Sequence, residues 1–144
     1  MSEITPQQVD AETERLAALR MQLLEMHPFW GYLLLQMRLV PALDLPSLAA
    51  TDSISHIWFN PAMTRALDAR ELGFVLAHEV CHQVLATVER RHGREKFKWN
   101  MATDYAINAL ISDISIPGAP QRDDTRLYRM PRGGLFNPKY RSWA

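Results

Sequence analysis

His78-Glu79-Val80-Cys81-His82 sets two imidazoles four residues apart with a carboxylate beside the first, the H-E-x-x-H arrangement. At about 100° per residue, positions four apart on a helix lie about 40° from each other, so both imidazoles converge on one ion. Glu79 is offset from that line. Its carboxylate is then placed to accept a proton from a metal-held water rather than to act as a ligand. Neutral imidazole suits zinc, and an open fourth coordination position permits catalysis. The competing reading is a pair of core histidines bonded to backbone carbonyls, with Glu79 paired to an arginine. That reading accounts for the composition but not for the spacing.

A peptidase site needs a third protein ligand. In Trp99-Asn100-Met101-Ala102-Thr103-Asp104-Tyr105-Ala106-Ile107-Asn108, the residues Asn100, Asp104 and Asn108 recur every four and make one polar stripe on an otherwise apolar or small-residue helix. A carboxylate there must be paired or metal-bound, and packing this helix on the H-E-x-x-H helix aims Asp104 at His78 and His82. The alternative for Asp104 is a buried carboxylate held by arginine or backbone amides. Asn100 fits a helix cap, and Asn108 fits either a partner that orients Asp104 or one that bonds the loop beyond. His92 is the rival ligand, but it stands next to Gly93, where the helix should end. The extended H-E-x-x-H-x-x-G-x-x-H pattern fails, with Leu85 and Val88 where Gly and His would stand. His92 suits a helix C-terminus. His27 and His56 read as structural, and Cys81 as a buried packing residue on the side away from the metal.

The elements that must position these groups follow from periodicity. Thr5-Pro6-Gln7-Gln8 is a helix start, with Val9, Leu16, Leu19, Leu23 and Met26 on one stripe until His27-Pro28. From Gly31 to Val40 alternation of period two predicts a strand, and residues 41–52 a loop. Ile54 to Phe59 is a second short strand, and Asn60-Pro61 opens a short helix to about Leu67. Asp68-Ala-Arg-Glu71 caps a long helix, apolar nearly all round, expected to run to Arg91 and stop at Gly93. A second apolar helix is expected from Trp99 or Asn100 to about Ile114. Residues 117–144 show no period and read as coil. The fold class is therefore α+β: a small mixed or antiparallel sheet packed on the H-E-x-x-H helix and the helix after it, with an N-terminal helix. Residues 1–116 form the domain, and 117–144 an irregular segment.

With 144 residues, 47% hydrophobic, the chain supports one core. Sixteen basic residues balance sixteen acidic ones, so no general field favours nucleic acid or an anionic membrane. No apolar run approaches the roughly 20 residues of a membrane span. One cysteine and a polar start without signal-peptide character point to the cytoplasm.

Ala50-Thr51-Asp52, Ile57-Trp58-Phe59-Asn60-Pro61, Glu71 to His82, and Trp99 to Asn108 together resemble a family, the bacterial putative metallopeptidase domain found ahead of a von Willebrand factor A-like domain. The likeness spans much of residues 30–115. It implies a zincin-like fold in which an Asp on the following helix completes the His pair, here Asp104. It also implies a further domain, so a von Willebrand factor A-like domain or a separate partner is expected to regulate activity. The glycines and tyrosine that flank this Asp in better-known zinc peptidases are absent. The chemistry expected is hydrolysis of a peptide or protein by zinc-activated water with Glu79 as general base, Ile54 to Phe59 offering a sheet edge to an extended peptide. Tyr105, Tyr128 or an arginine of the tail are open candidates for the oxyanion donor. Two other readings compete: a non-catalytic zinc module whose metal joins two helices, and a zinc hydrolase of a non-peptide amide.

Overall fold

A computed structural model describes residues 3–52, 54–85, 89–112 and 130–131. Its first element, α1 (Pro6–Met26), begins with the expected reciprocal cap: Thr5 Oγ1 accepts from Gln8 N and Gln8 Oε1 from Thr5 N. Pro28 does not end the helical region. It stands at the first position of a second helix, α2 (Pro28–Leu35), replacing the strand expected from Gly31. The apparent alternation was misleading because Leu34 is apolar too, and the residues α2 buries, Gly31 and Leu34, are three apart. Gly31 is where α2 crosses α1. A Cβ there would overlap the backbone of Leu24, so the two helices approach as closely as they do only because this residue has no side chain.

The expected strand survives only as β1 (Arg38–Pro41). The segment read as a loop contains a further strand, β2 (Ala49–Thr51), followed by β3 (His56–Phe59). The sheet has the order β1-β3-β2, with β1 parallel and β2 antiparallel to β3, so it is mixed. Asp52 makes the turn from β2 to β3, its Oδ1 accepting the backbone N–H groups of Ile54, Ser55 and His56. Burial opposes ionisation of Asp52, but these donors and His56 outweigh it and hold the carboxyl well below its ordinary range. His56 is thus structural, as expected.

Asn60 caps α3 (Pro61–Thr64), which is shorter than expected, and Asp68 and Glu71 cap α4 (Ala69–Val84) reciprocally. A buried ionic link ties α1 to α3: Glu12 accepts from Thr64 Oγ1 at 2.6 Å and from Arg15 Nε at 2.7 Å, while Arg15 also reaches the carbonyls of Thr64 and Leu67. Sequence periodicity gave no sign of it.

α4 ends at Val84 rather than Arg91. A 3-10 turn (Glu89–Arg91) and two residues of positive φ, His92 at 49° and Gly93 at 79°, then lead into α5 (Lys96–Ser112). His92 therefore sits in a left-handed turn and not on a helix terminus, which removes its expected dipole role. α5 begins earlier than expected, because the Glu95 carboxylate accepts from the backbone N–H of Phe97 and Lys98. Asn100 is consequently inside the helix and is not its cap.

α4 packs against α1, α2, α5 and β2, and buries nine of its sixteen residues. Leu16, Leu23, Leu34, Ile57, Phe59, Leu72, Leu76, Val80, Ile107 and Ile111 form the core around it. Each such side chain contributes about 1.5–3 kcal/mol by leaving water, so the helix that bears the motif is also the one most firmly held. The fold is α+β, with α4 at its centre. Of the C-terminal stretch, Met130 packs against the core and Pro131 is buried; the rest of the expected coil, and Tyr128 with it, lies outside the described residues. No helix among the described residues is long and apolar enough to cross a membrane.

Candidate active site

The caps that start α4 at Ala69 set the helical phase in which His78 and His82 share a face, and α5 packs across that face. His78 Nε2 and His82 Nε2 stand 3.2 Å apart, and Asp104 Oδ1 lies 3.1 Å from the first and 3.5 Å from the second. Four ligands held about 2.0–2.1 Å from a zinc ion at tetrahedral angles stand about 3.3 Å from one another. The three atoms found here have the spacing of one face of such a tetrahedron. Among the described residues they are also the grouping of His, Cys, Asp and Glu that is able to hold a metal.

The donor chemistry fits an ion as well as the spacing does. His78 Nδ1 lies 2.6 Å from Asn108 Oδ1, an atom that only accepts, so Nδ1 carries the proton and the Nε2 lone pair of the neutral ring faces His82 and Asp104. A lone pair, a second imidazole nitrogen and a carboxylate oxygen thus crowd within 3.5 Å, which requires positive charge among them. Burial opposes protonation of His78, but Asp104, Glu79 and Asn108 outweigh it and raise the group above its ordinary value. Burial likewise works against ionised Asp104, and the hydrogen bonds and charges of the two histidines hold it far below the usual carboxylate range. The site attracts a cation, which a divalent metal would supply.

Glu79 is buried but borders the same cavity, and no lysine or arginine pairs with it among the described residues. Burial raises its carboxyl, Asp104 adds to that, and the two histidines partly offset it. A carboxylate moved towards neutrality is suited to take a proton and return it. His78 bonds the Asn108 side chain rather than a backbone carbonyl, and no arginine pairs with Glu79 among the described residues, so the competing reading fails at both of these groups. Cys81 is fully buried, and desolvation pushes its thiol up to about 12, as expected of an inert packing residue.

The cavity over these groups has a volume of about 550 Å³ and is lined by Ser47 and β2 together with Arg91, Lys96, Trp99 and Asn100. Two expectations change here. β3, read as the sheet edge above the active helix, is the central one of the described strands, and among them the edge beside the site is β2. Asn60 N bonds Leu48 O and Asp52 N bonds His56 O, so the alternation of an antiparallel ladder turns the backbone of Ala49 and Thr51 away from β3. Asn108 bonds His78, and the loop that it was expected to reach lies outside the described residues. Tyr105 is not part of the described cavity wall; the basic groups there are Arg91 and Lys96, which a scan for motifs passed over because neither belongs to one.

This arrangement agrees with the comparisons. Residues 11–144 match the model of the family described as a putative metallopeptidase domain, and the chain belongs to that family. An uncharacterized protein of Thermotoga maritima is 31% identical over 98 residues, covering 65% of this chain and 25% of that protein. The chain thus spans about a quarter of the length of this curated relative. No solved structure matches.

Proposed function

We propose that this chain is a zinc-dependent peptidase of zincin-like build, with His78, His82 and Asp104 as metal ligands and Glu79 as general base. The observation that carries this reading is the convergence of the three ligand atoms at 3.1, 3.2 and 3.5 Å beside a buried glutamate on an open cavity. Bound zinc would supply Lewis acidity, lowering the pKa of water to about 7 and polarising the scissile carbonyl. Glu79 takes the proton of the attacking water and delivers it to the leaving amine, its raised pKa easing the exchange. Asn108 keeps the His78 lone pair turned inwards. An extended peptide lies antiparallel along the outer edge of β2, and the cavity walls read its side chains.

Supporting an open rather than a structural site, the described residues contribute three ligand atoms, whereas closed zinc sites use four. The substrate is a peptide or protein, with no role for nucleic acid or membrane in view of the balanced charge. We place the protein in the cytoplasm on its single, buried cysteine. Residues 1–116 act as the peptidase unit, with 117–144 leading to a regulatory region or partner of von Willebrand factor A-like type.

Metal analysis of the purified protein tests the site without knowledge of the substrate. About one zinc per chain is expected, lost in His78→Ala and Asp104→Ala. Glu79→Gln should keep the metal and lose turnover of a peptide library. Retention of stoichiometric zinc by both ligand variants, or normal turnover by Glu79→Gln, would overturn the reading.

A further inference from the structure

The cavity lining carries two basic side chains, Arg91 and Lys96. Arg91 ends the 3-10 turn and Lys96 begins α5, and the two residues of positive φ between them fold the chain back so that both side chains border the one cavity. Their neighbours are occupied elsewhere. Arg90 bonds Leu85 O, Arg94 bonds the carbonyls of Arg90 and Arg91 and lies over the Trp99 ring, and Glu95 is engaged by the backbone at the start of α5. Those contacts hold the turn in shape. Arg91 and Lys96 have no carboxylate within ion-pair distance among the described residues.

Within the cavity, Glu79 and Asp104 provide two negative charges, which one divalent ion offsets. Arg91 and Lys96 then remain as its net charge. Arg91 is half-buried and Lys96 exposed, so in this concave site their charge favours an anionic group on whatever binds and is weakened by added salt. Trp99 adds an aromatic residue to the same cavity lining.

We infer that Arg91 and Lys96 form a carboxylate-recognising subsite, so that the substrates are peptides with a carboxylate close to the bond that is cut. This deepens the peptidase reading of the same cavity and rests on it. The carboxylate comes either from an acidic side chain or from a free C-terminus. Arg91 contributes a planar fork for paired hydrogen bonds and Lys96 a point charge.

The test is binding to zinc-loaded Glu79→Gln protein, measured by calorimetry at low and moderate salt. One arm uses blocked alanine pentapeptides with Glu or Gln at the centre, and the other uses neutral pentapeptides with a free or an amidated C-terminus. In at least one arm the carboxylate form should bind about tenfold tighter, less so with added salt, and the arm that discriminates identifies the source. The Arg91→Gln/Lys96→Gln double variant should lose that preference while binding the neutral peptide and zinc as before. Equal binding of acid and neutral forms in both arms would overturn the inference. So would a preference that survives in the double variant, since the carboxylate would then be held by the metal. Cleavage by the wild type is assayed separately: turnover without acid preference removes this inference alone, whereas selective binding without turnover of any peptide removes the peptidase reading and leaves the subsite.

Discussion

Replacing Asn108 by Ala isolates what a neighbouring helix contributes to a ligand it does not itself provide. Asn108 is buried, and its Oδ1 lies 2.6 Å from His78 Nδ1. Without that acceptor the imidazole is free to carry its proton on either nitrogen. Equal populations of the two tautomers would halve the ligating form, a loss of about 0.4 kcal/mol, since RT is about 0.59 kcal/mol. Loss of the hydrogen bond that fixes the ring adds about 1 kcal/mol. The sum, about 1.4 kcal/mol, corresponds to about tenfold weaker zinc binding, at the low end of the 10–100-fold range for partners of metal-ligating histidines. Asn108→Asp keeps an acceptor, adds charge and should bind zinc at least as tightly as the native protein. The assay is competition with a chromophoric chelator at fixed pH, with thermal unfolding of the metal-free proteins as the control for folding. An unchanged affinity in a folded Asn108→Ala protein, or weaker binding by Asn108→Asp than by Asn108→Ala, would refute the tautomer argument.

Gly31→Ala should lower stability by about 2–3 kcal/mol, seen as an earlier urea midpoint, because the new methyl meets the Leu24 backbone and the helices must separate; a native-like midpoint would mean that α2 is free to shift. Glu12→Ala removes the acceptor of Thr64 Oγ1 and the anion paired with Arg15, which keeps only its two carbonyl partners, and should cost about 2 kcal/mol, discounted for the exposure of Arg15. Burial raises the Glu12 carboxyl, but Arg15 and Thr64 outweigh it, so the folded-state pKa lies below the unfolded value of 4.5. Its contribution is therefore present above that value and is lost as pH falls through the folded one, and Glu12→Gln should flatten the acid limb of stability against pH. Cys81, with its thiol pushed up to about 12 and no exposure, should react with a thiol-specific chromogenic reagent at pH 8 only as fast as the protein unfolds; rapid labelling of the native protein would contradict that burial.

The sequence alone located the chemistry because a helix has a fixed pitch. Once Asp68 and Glu71 start α4, His78 and His82 must share a face, and the repeat Asn100, Asp104, Asn108 must share another. It also carried the α1 cap, the burial of α4 and the α+β class. Its errors fell where short segments are decided by what packs on them. Residues 28–35 carry apolar side chains that suit either period, and the close crossing at Gly31 made them a helix. The three residues of β2 are too few to show a period at all, and become a strand only by pairing with β3. Which polar group meets which was equally a tertiary matter. Helix phase placed Asn108 on the right face, but only the docking of α5 on α4 decided that its carbonyl oxygen meets His78, and only the turn at His92 and Gly93 brought Arg91 and Lys96 to the same cavity. Local spacing is set by covalent geometry and can be read along the chain, whereas contacts between distant segments depend on how their surfaces fit.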